Sequence, residues 1–231
     1  MQIRAVEQLV AVWDGGAQNE PPHSRLGRVL ERLMPDAPLT DDTLGRRNQR
    51  LIALHGEIVG GAIEAVAACP ACATENEFDV PITAIAEASV PPVGGHVAAG
   101  GLRARVPVMA DLAAIAGLPP EMAARTLLRR CLDGAPLTID DVTLAALGAA
   151  FEQADPAAVV RLASACAQCG ATMTVEVDIA AFVAGAVERK VAAQLMQVAV
   201  LARAFGWSES EILALPAARR VRYMMMIEGG R

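Results

Sequence analysis

Apolar residues recur along this chain in two rhythms, and the changes from one to the other mark its elements. Ile3, Val6, Leu9, Val10 and Trp13 fall three or four apart, the spacing of one helical face, and the pattern stops at Gly15-Gly16. Asn19 to His23 is a polar, proline-bearing linker, and a second amphipathic piece runs from Leu26 to Met34, ended by Pro35. Pro38 to Thr43 reads as loop, and Leu44 to about Glu64 as helix with a break near Gly60-Gly61. The rhythm then shortens to two. Phe78, Val80 and Ile82 alternate with Glu77 and Asp79, as in a half-buried strand. Pro91 to Gly101 reads as a Gly/Pro loop, and Leu102 to Val108 as another alternating strand with Arg103 and Arg105 on its wet face. Pro107 makes that strand an edge or an end.

Helical spacing returns over 111–131, interrupted around Gly117 to Pro120, with Leu127, Leu128 and Cys131 on an apolar stripe. Thr138 and Asp141 have the spacing of a capping signal for a helix running to about Gln153. Val159 to Ala163 reads as a short strand, and Met173, Val175, Val177 and Ile179 alternate with Thr174, Glu176 and Asp178 in another. A long helix is predicted from Ala181 to about Phe205, with Val187, Val191, Leu195, Val198 and Ala202 along one side and Gly206 as its stop. Ser208 and Glu211 form a capping box, with Trp207 placed to staple against Ile212. After Pro216, Arg219 to Ile227 reads as a last helix with Val221, Met224 and Met225 apolar.

One short phrase is written twice. CPACATENEFDV begins at Cys69 and CAQCGATMTVEV at Cys166, each a Cys-x-x-Cys turn leading into a strand. Ala68 to Ile82 and Ala165 to Ile179 therefore form a duplication, a pair of β-ribbons rather than a solenoid. Zinc takes four ligands in a tetrahedron and thiolate sulfur suits it, so Cys69, Cys72, Cys166 and Cys169 are the candidate ligands of one shared site. Gly170 follows the second pair, where such a turn needs a left-handed residue; Ala73 stands at that place in the first copy and makes its turn more strained.

The pairs stand 97 residues apart, from Cys69 to Cys166. Closing the longer loop costs roughly 1–2 kcal/mol more than a short ribbon would. Structural zinc contributes on the order of 10–16 kcal/mol, so the insertion is tolerated. With all four positions filled by protein, the site would be closed and structural, since catalytic zinc keeps a position for water. Competing readings are a thioredoxin-like pair, a disulfide within each turn, and four cysteines without metal; zinc and iron are not separated. The redox reading needs the pair at a helix N-terminus, and strands follow here. Cys131, among leucines, reads as a buried small hydrophobe.

Composition narrows the class. Of 231 residues 54% are hydrophobic, much of that alanine, and only 3% are aromatic, which favours helix over a β-sandwich core. The expected fold is α+β and mostly helical, with a small central antiparallel zinc-ribbon-like element. Its segments are 1–64, a helical region; 65–82, the first ribbon; 83–158, an insertion of strand and helices; 159–180, the second ribbon; and 181–231, a helical region. The formal charge of −6 opposes binding to nucleic acid. No apolar run reaches the roughly 18 residues of a membrane span, and Met1 to Leu9 is unlike a signal peptide. Five cysteines without an export signal suit a reducing cytosol.

Catalytic patterns are missing: there is no phosphate loop, nucleophile elbow or zinc-protease helix. His23, His55 and His96 stand in separate contexts and read as surface residues, so an enzyme is not expected. Arg46, Arg47 and Arg50, like Arg219, Arg220 and Arg222, read as solvated or partner-facing charge, and Met224 to Met226 as core packing in preference to a docking face.

Four stretches carry a family resemblance: the helix ending in Trp13-Asp-Gly15, the Leu44-Gly-Arg-Arg47 start of a helix, the two Cys-x-x-Cys ribbons, and FGWSESEILALP from Phe205 to Pro216 followed by Arg219, Arg220 and Tyr223. Together they span nearly the whole chain. The chain resembles the T-even-type phage baseplate proteins encoded with contractile tails and extracellular contractile injection systems. The family's first knuckle usually reads Cys-Pro-x-Cys-Gly, from which Ala73 departs. The resemblance implies a non-enzymatic structural or assembly protein of the baseplate, present in the bacterial cytoplasm during assembly. It implies other baseplate, hub or spike proteins as partners, and no small-molecule substrate or membrane. A permanent component and a chaperone that leaves are both compatible with it. Arg103, Arg105, Arg219, Arg220 and Arg222 are the expected partner-facing residues. The alternative is a zinc-ribbon nucleic-acid-binding or regulatory protein.

Overall fold

The computed structural model describes residues 9–15, 22–33, 39–134 and 139–229. In chain order they form α1 (Leu9–Asp14), α2 (Pro22–Leu33), a 3-10 turn at Leu39–Asp41, α3 (Leu44–Ile58), β1 (Ile63–Ala68), β2 (Glu75–Val80) and α4 (Ile82–Glu87). There follow β3 (His96–Ala99), β4 (Leu102–Arg105), α5 (Met109–Ile115), α6 (Pro120–Cys131) and α7 (Asp141–Ala154). The run closes with β5 (Val160–Ala165), β6 (Thr172–Val177), α8 (Ile179–Phe205), α9 (Glu209–Leu213) and α10 (Ala217–Gly229). The protein is α+β, with three two-stranded antiparallel sheets among the described residues. None of its described helices is long and apolar enough to cross a membrane. The chain divides into two compact units, one of Asp36–Ala53 and Gly61–Ile179, the other of Met1–Pro35, Leu54–Gly60 and Ala180–Arg231.

The duplication is longer than the ribbons alone. α3 begins at 44 and α7 at 141, β1 at 63 and β5 at 160, β2 at 75 and β6 at 172, α4 at 82 and α8 at 179; each difference is 97. The hairpin registers agree as well, Ile63 opposite Val80 and Val160 opposite Val177. So do the helix starts: Thr43 Oγ1 accepts the Arg46 amide at 3.3 Å, and Asp140 Oδ1 accepts the Thr143 amide at 2.7 Å. The expected Thr138 cap lies outside the described residues, and Asp140 caps α7.

Several local expectations change; the strand expected over Leu102–Val108 ends at Arg105, and the one expected to reach Ile179 ends at Val177. The helix from Leu44 stops at Ile58 rather than near Glu64, and Ile63–Ala68 is a strand. Its alanines favour helix in isolation, but pairing with β2 along six residues outweighs that preference. The strand that was to reach Ile82 ends at Val80, because Pro81 stands between it and α4. The expected loop before Gly101 contains β3. Gly100 and Gly101, at φ 58° and 74°, turn it back onto β4 in a two-residue hairpin that only left-handed residues make easily.

The larger unit packs Ala104, Leu128, Cys131, Leu132, Ile139 and Leu147 into one core. Beside it lies Asp111, 1% exposed, whose carboxylate takes Arg105 Nη2 at 2.8 Å, Arg130 Nε at 2.9 Å and the Val108 amide at 3.1 Å. The Arg105 hydrogen bond leads in holding the Asp111 carboxyl down to about 2; the Val108 and Arg130 bonds add to it against the opposing effect of burial.

In the other unit α1 packs on α2 through Trp13, Leu9, Leu26 and Val29, with the Arg25 guanidinium 5.9 Å from the indole centroid. Ile3 and Val6 lie outside the described residues. α8, α9 and α10 close on Val198, Leu201 and Ile212, with Trp207, Tyr223, Met224 and Ile227 around them. The capping box is present, Ser208 accepting the Glu211 amide at 3.3 Å and Glu211 accepting the Ser208 amide at 2.8 Å, and Trp207 packs against the cluster that contains Ile212. The methionine run splits. Met224 joins the core, whereas Met225 and Met226 turn outward, 63% and 67% exposed, because a helix cannot face three consecutive residues inward.

Candidate metal centre

Each Cys-x-x-Cys turn joins the two strands of a hairpin, and the backbone closes it in the same way both times. The Cys69 amide donates to Thr74 O at 2.8 Å and the Ala73 amide to Cys69 O at 2.8 Å. In the second copy Cys166 donates to Ala171 O and Gly170 to Cys166 O, both at 2.9 Å. The residue after the second cysteine must be left-handed: Gly170 has φ 70° and Ala73 has φ 60°. Ala73 is the only non-glycine residue at positive φ among those described. A side chain there costs about 1–2 kcal/mol, so the first turn is strained, as the sequence predicts.

The turns face each other and their sulfurs form one cluster. Cys69 Sγ lies 3.7 Å from Cys169 Sγ and Cys72 Sγ 3.6 Å from Cys166 Sγ. All four sulfurs lie within 4.8 Å of one another. A tetrahedron with metal–sulfur arms of about 2.3 Å has edges of about 3.8 Å, close to the 3.6 and 3.7 Å contacts, so four thiolates gathered this closely could hold one metal ion. Cys69 and Cys166 are buried against Phe78 and Met173, while Cys72 and Cys169 reach the surface.

Neighbouring dipoles prepare the cluster for negative charge. The Ala71 amide donates to Cys69 Sγ at 3.4 Å. The Cys169 amide, with help from the Gln168 amide and the Asn76 side chain, holds the Cys166 thiol down to about 6 against burial. Hydrogen bonding to Thr74 lowers Cys72. At Cys169 the Ala171 amide pulls down, but Cys72, Cys166 and Cys69, competing for the same charge, push it up to about 12. Without a cation the cluster thus keeps protons; with one, all four sulfurs would be thiolates.

Asn76 is the residue that sequence reasoning missed. It is 8% exposed, its Nδ2 donates to Thr74 O at 2.8 Å and to Cys166 Sγ at 3.6 Å, and its Oδ1 accepts the Ala167 amide at 2.9 Å. Two of these bonds cross from the first hairpin to the second. The signal was a polar residue on the inward phase of a strand, in step with Phe78 and Val80, where the second copy has Met173.

The other candidate residues are dispersed. Cys131 is buried beside Leu128 and Leu132, its thiol pushed up to about 11 first by burial and then by Asp111. Arg103, Arg219 and Arg222 are exposed, Arg103 lying 3.6 Å from Asp133. Arg105 and Arg220 do not face outward as expected. Arg105 is engaged by Asp111 and by Arg130 O at 3.1 Å. Arg220 is 3% exposed and donates to Leu215 O at 2.7 Å and Leu213 O at 3.5 Å, carbonyls at the open end of α9. In the Leu44 stretch, Arg46 is exposed, Arg47 donates to Asn48 Oδ1 at 2.9 Å and Arg50 pairs with Asp42 at 2.6 Å. His55 is buried rather than on the surface, tilted against Phe182 at 6.4 Å, and burial followed by the Arg189 charge lowers its pKa. His96 lies 3.4 Å from Asp133, and the His23 side chain lies outside the described residues. No family model, no curated protein and no solved structure matches the chain.

Proposed function

We propose that this protein is a non-enzymatic structural or assembly protein of a contractile-tail baseplate, with its larger unit clipped by a structural four-cysteine zinc site. Cys69, Cys72, Cys166 and Cys169 hold the ion, which supplies a tetrahedral cross-link between two distant turns. The observation that carries the metal reading is the closeness of the four sulfurs, all within 4.8 Å. Four thiolates leave no position for water, so the centre stabilises rather than reacts. The baseplate role is supported by the sequence likeness in four stretches spanning nearly the whole chain. Arg103, Arg219 and Arg222, all exposed, are the side chains that would meet neighbouring baseplate, hub or spike proteins.

Two experiments test the two parts. Elemental analysis of the purified chain should find one zinc, and Cys166→Ser should lose it together with several kcal/mol of stability, because metal binding and folding are coupled. Retention of full zinc by that variant refutes the shared site. For the role, the protein should co-purify with baseplate or spike proteins, and deletion of its gene should stop tail assembly. Tails that assemble normally without it overturn the baseplate reading.

A further inference from the structure

We propose that the sulfur cluster is also an oxidative modification site, at which peroxide joins the two hairpins covalently through Cys69–Cys169 and Cys72–Cys166 bridges. The inference rests on the single four-sulfur site of the metal reading and adds a second chemical state to it. Two sulfur contacts, at 3.7 and 3.6 Å, run between hairpins, and each pairs an exposed thiol with a buried one. Cys169 is exposed and Cys69 is 2% exposed; Cys72 is exposed and Cys166 is 3% exposed. An oxidant from solvent therefore meets Cys72 or Cys169 first, and the thiol that resolves the product is already 3.6 or 3.7 Å away on the opposite turn.

The chemistry balances with hydrogen peroxide as oxidant. The Cys72 thiolate attacks one peroxide oxygen, the O–O bond breaks, hydroxide leaves and a sulfenic acid forms. The Cys166 thiolate then attacks that sulfur, the S–O bond breaks and a second hydroxide leaves as the S–S bond forms. Two thiols and one peroxide give one disulfide and two waters. Cys169 and Cys69 repeat the sequence with a second peroxide. A disulfide is about 2.05 Å long, so each sulfur moves less than about 1 Å, within reach of small side-chain rotations.

The outcome differs from that of bridges within each turn, which would free the hairpins from one another. Here the loop between the turns stays closed after the metal has gone. A reducing compartment would keep the clip as a metal site, and an oxidising one would convert it to a covalent clip.

The test uses the zinc-loaded full chain, with its zinc counted by displacement into a colorimetric chelator before hydrogen peroxide is added. Trypsin cuts after Arg50, Arg103, Arg161 and Arg189, which places Cys69 and Cys72 on fragment 51–103 and Cys166 and Cys169 on fragment 162–189. The expected product is one joined fragment, four hydrogens lighter than the sum of its parts, with 69–169 and 72–166 linkages on fragmentation and two peroxides consumed per chain. The oxidised protein should then melt at the same temperature with and without EDTA. Two separate fragments, each two hydrogens lighter, or sulfinic and sulfonic acids in place of bridges, would overturn the proposal. The zinc count separates the failures. Full zinc followed by unjoined fragments refutes this inference alone, whereas no zinc at the outset refutes the metal reading and the linkage map still decides the pairing.

Discussion

Asn76 binds across the gap between the hairpins, and its replacement by methionine makes the sharpest test of how the centre is held. Methionine is what position 173 carries in the second copy, where it is 2% exposed, so the side chain suits a buried strand position beside a cysteine turn. The substitution removes the 2.9 Å bond from the Ala167 amide, the 3.6 Å donation to Cys166 Sγ and the 2.8 Å donation to Thr74 O. The two cross-hairpin bonds are worth about 1–3 kcal/mol at the usual net value for such bonds. Loss of a partner that orients a metal ligand typically weakens metal affinity tenfold to a hundredfold, or about 1.4–2.7 kcal/mol.

The assay is competition for zinc against a chromophoric chelator at neutral pH, paired with urea unfolding in excess EDTA. Zinc affinity should fall at least tenfold, and the metal-free variant should also lose stability, since the Ala167 bond joins the hairpins without an ion. Zinc affinity within twofold of the parent would show that Asn76 fills space and does not position Cys166.

Further predictions follow from the same contacts. Asp111 titrates at about 2 instead of an ordinary 3.8, so the stability it lends is complete above pH about 4 and is lost as pH falls toward 2. Asp111→Asn should cost about 2 kcal/mol at pH 7 and flatten the acid limb of a stability–pH curve over that window; an unchanged limb refutes the assignment. Ala73→Gly should raise stability by about 1 kcal/mol in urea unfolding by relieving the left-handed strain, and a loss would show that the turn is not strained. Arg220→Met should lower stability by about 1–3 kcal/mol through two orphaned carbonyls. Its exposed neighbour should tolerate Arg219→Met within about 0.5 kcal/mol, and equal losses in thermal melts would contradict their different burial.

The four cysteines were legible because metal-binding turns need cysteine at fixed spacing and a left-handed residue after it, and both requirements are local. The long C-terminal helix and the Ser208 cap were legible for the same reason. β1 and β3 were not. An alanine-rich strand and a strand beginning at a histidine carry no period strong enough to stand against helix or loop, and partners later in the chain decide them. Arg105 and Arg220 misled because an arginine on an alternating strand or at a helix start looks solvated until its acceptors are known. Those acceptors, Asp111 and the Leu213 and Leu215 carbonyls, come from neighbouring elements. Asn76 was a polar residue out of phase, readable in principle once the strand's inward face was assigned.

The 97-residue offset also sets an order of events during translation. A ribosome adding about 5–20 residues per second completes the first turn roughly 5–20 s before the second emerges. Through that interval Cys69 and Cys72 would offer two ligands, too few for a closed tetrahedral shell. Nascent chains that stall before Cys169 would have only an incomplete grip on metal, so firm retention of an ion would mark polypeptides that have been made past both repeats.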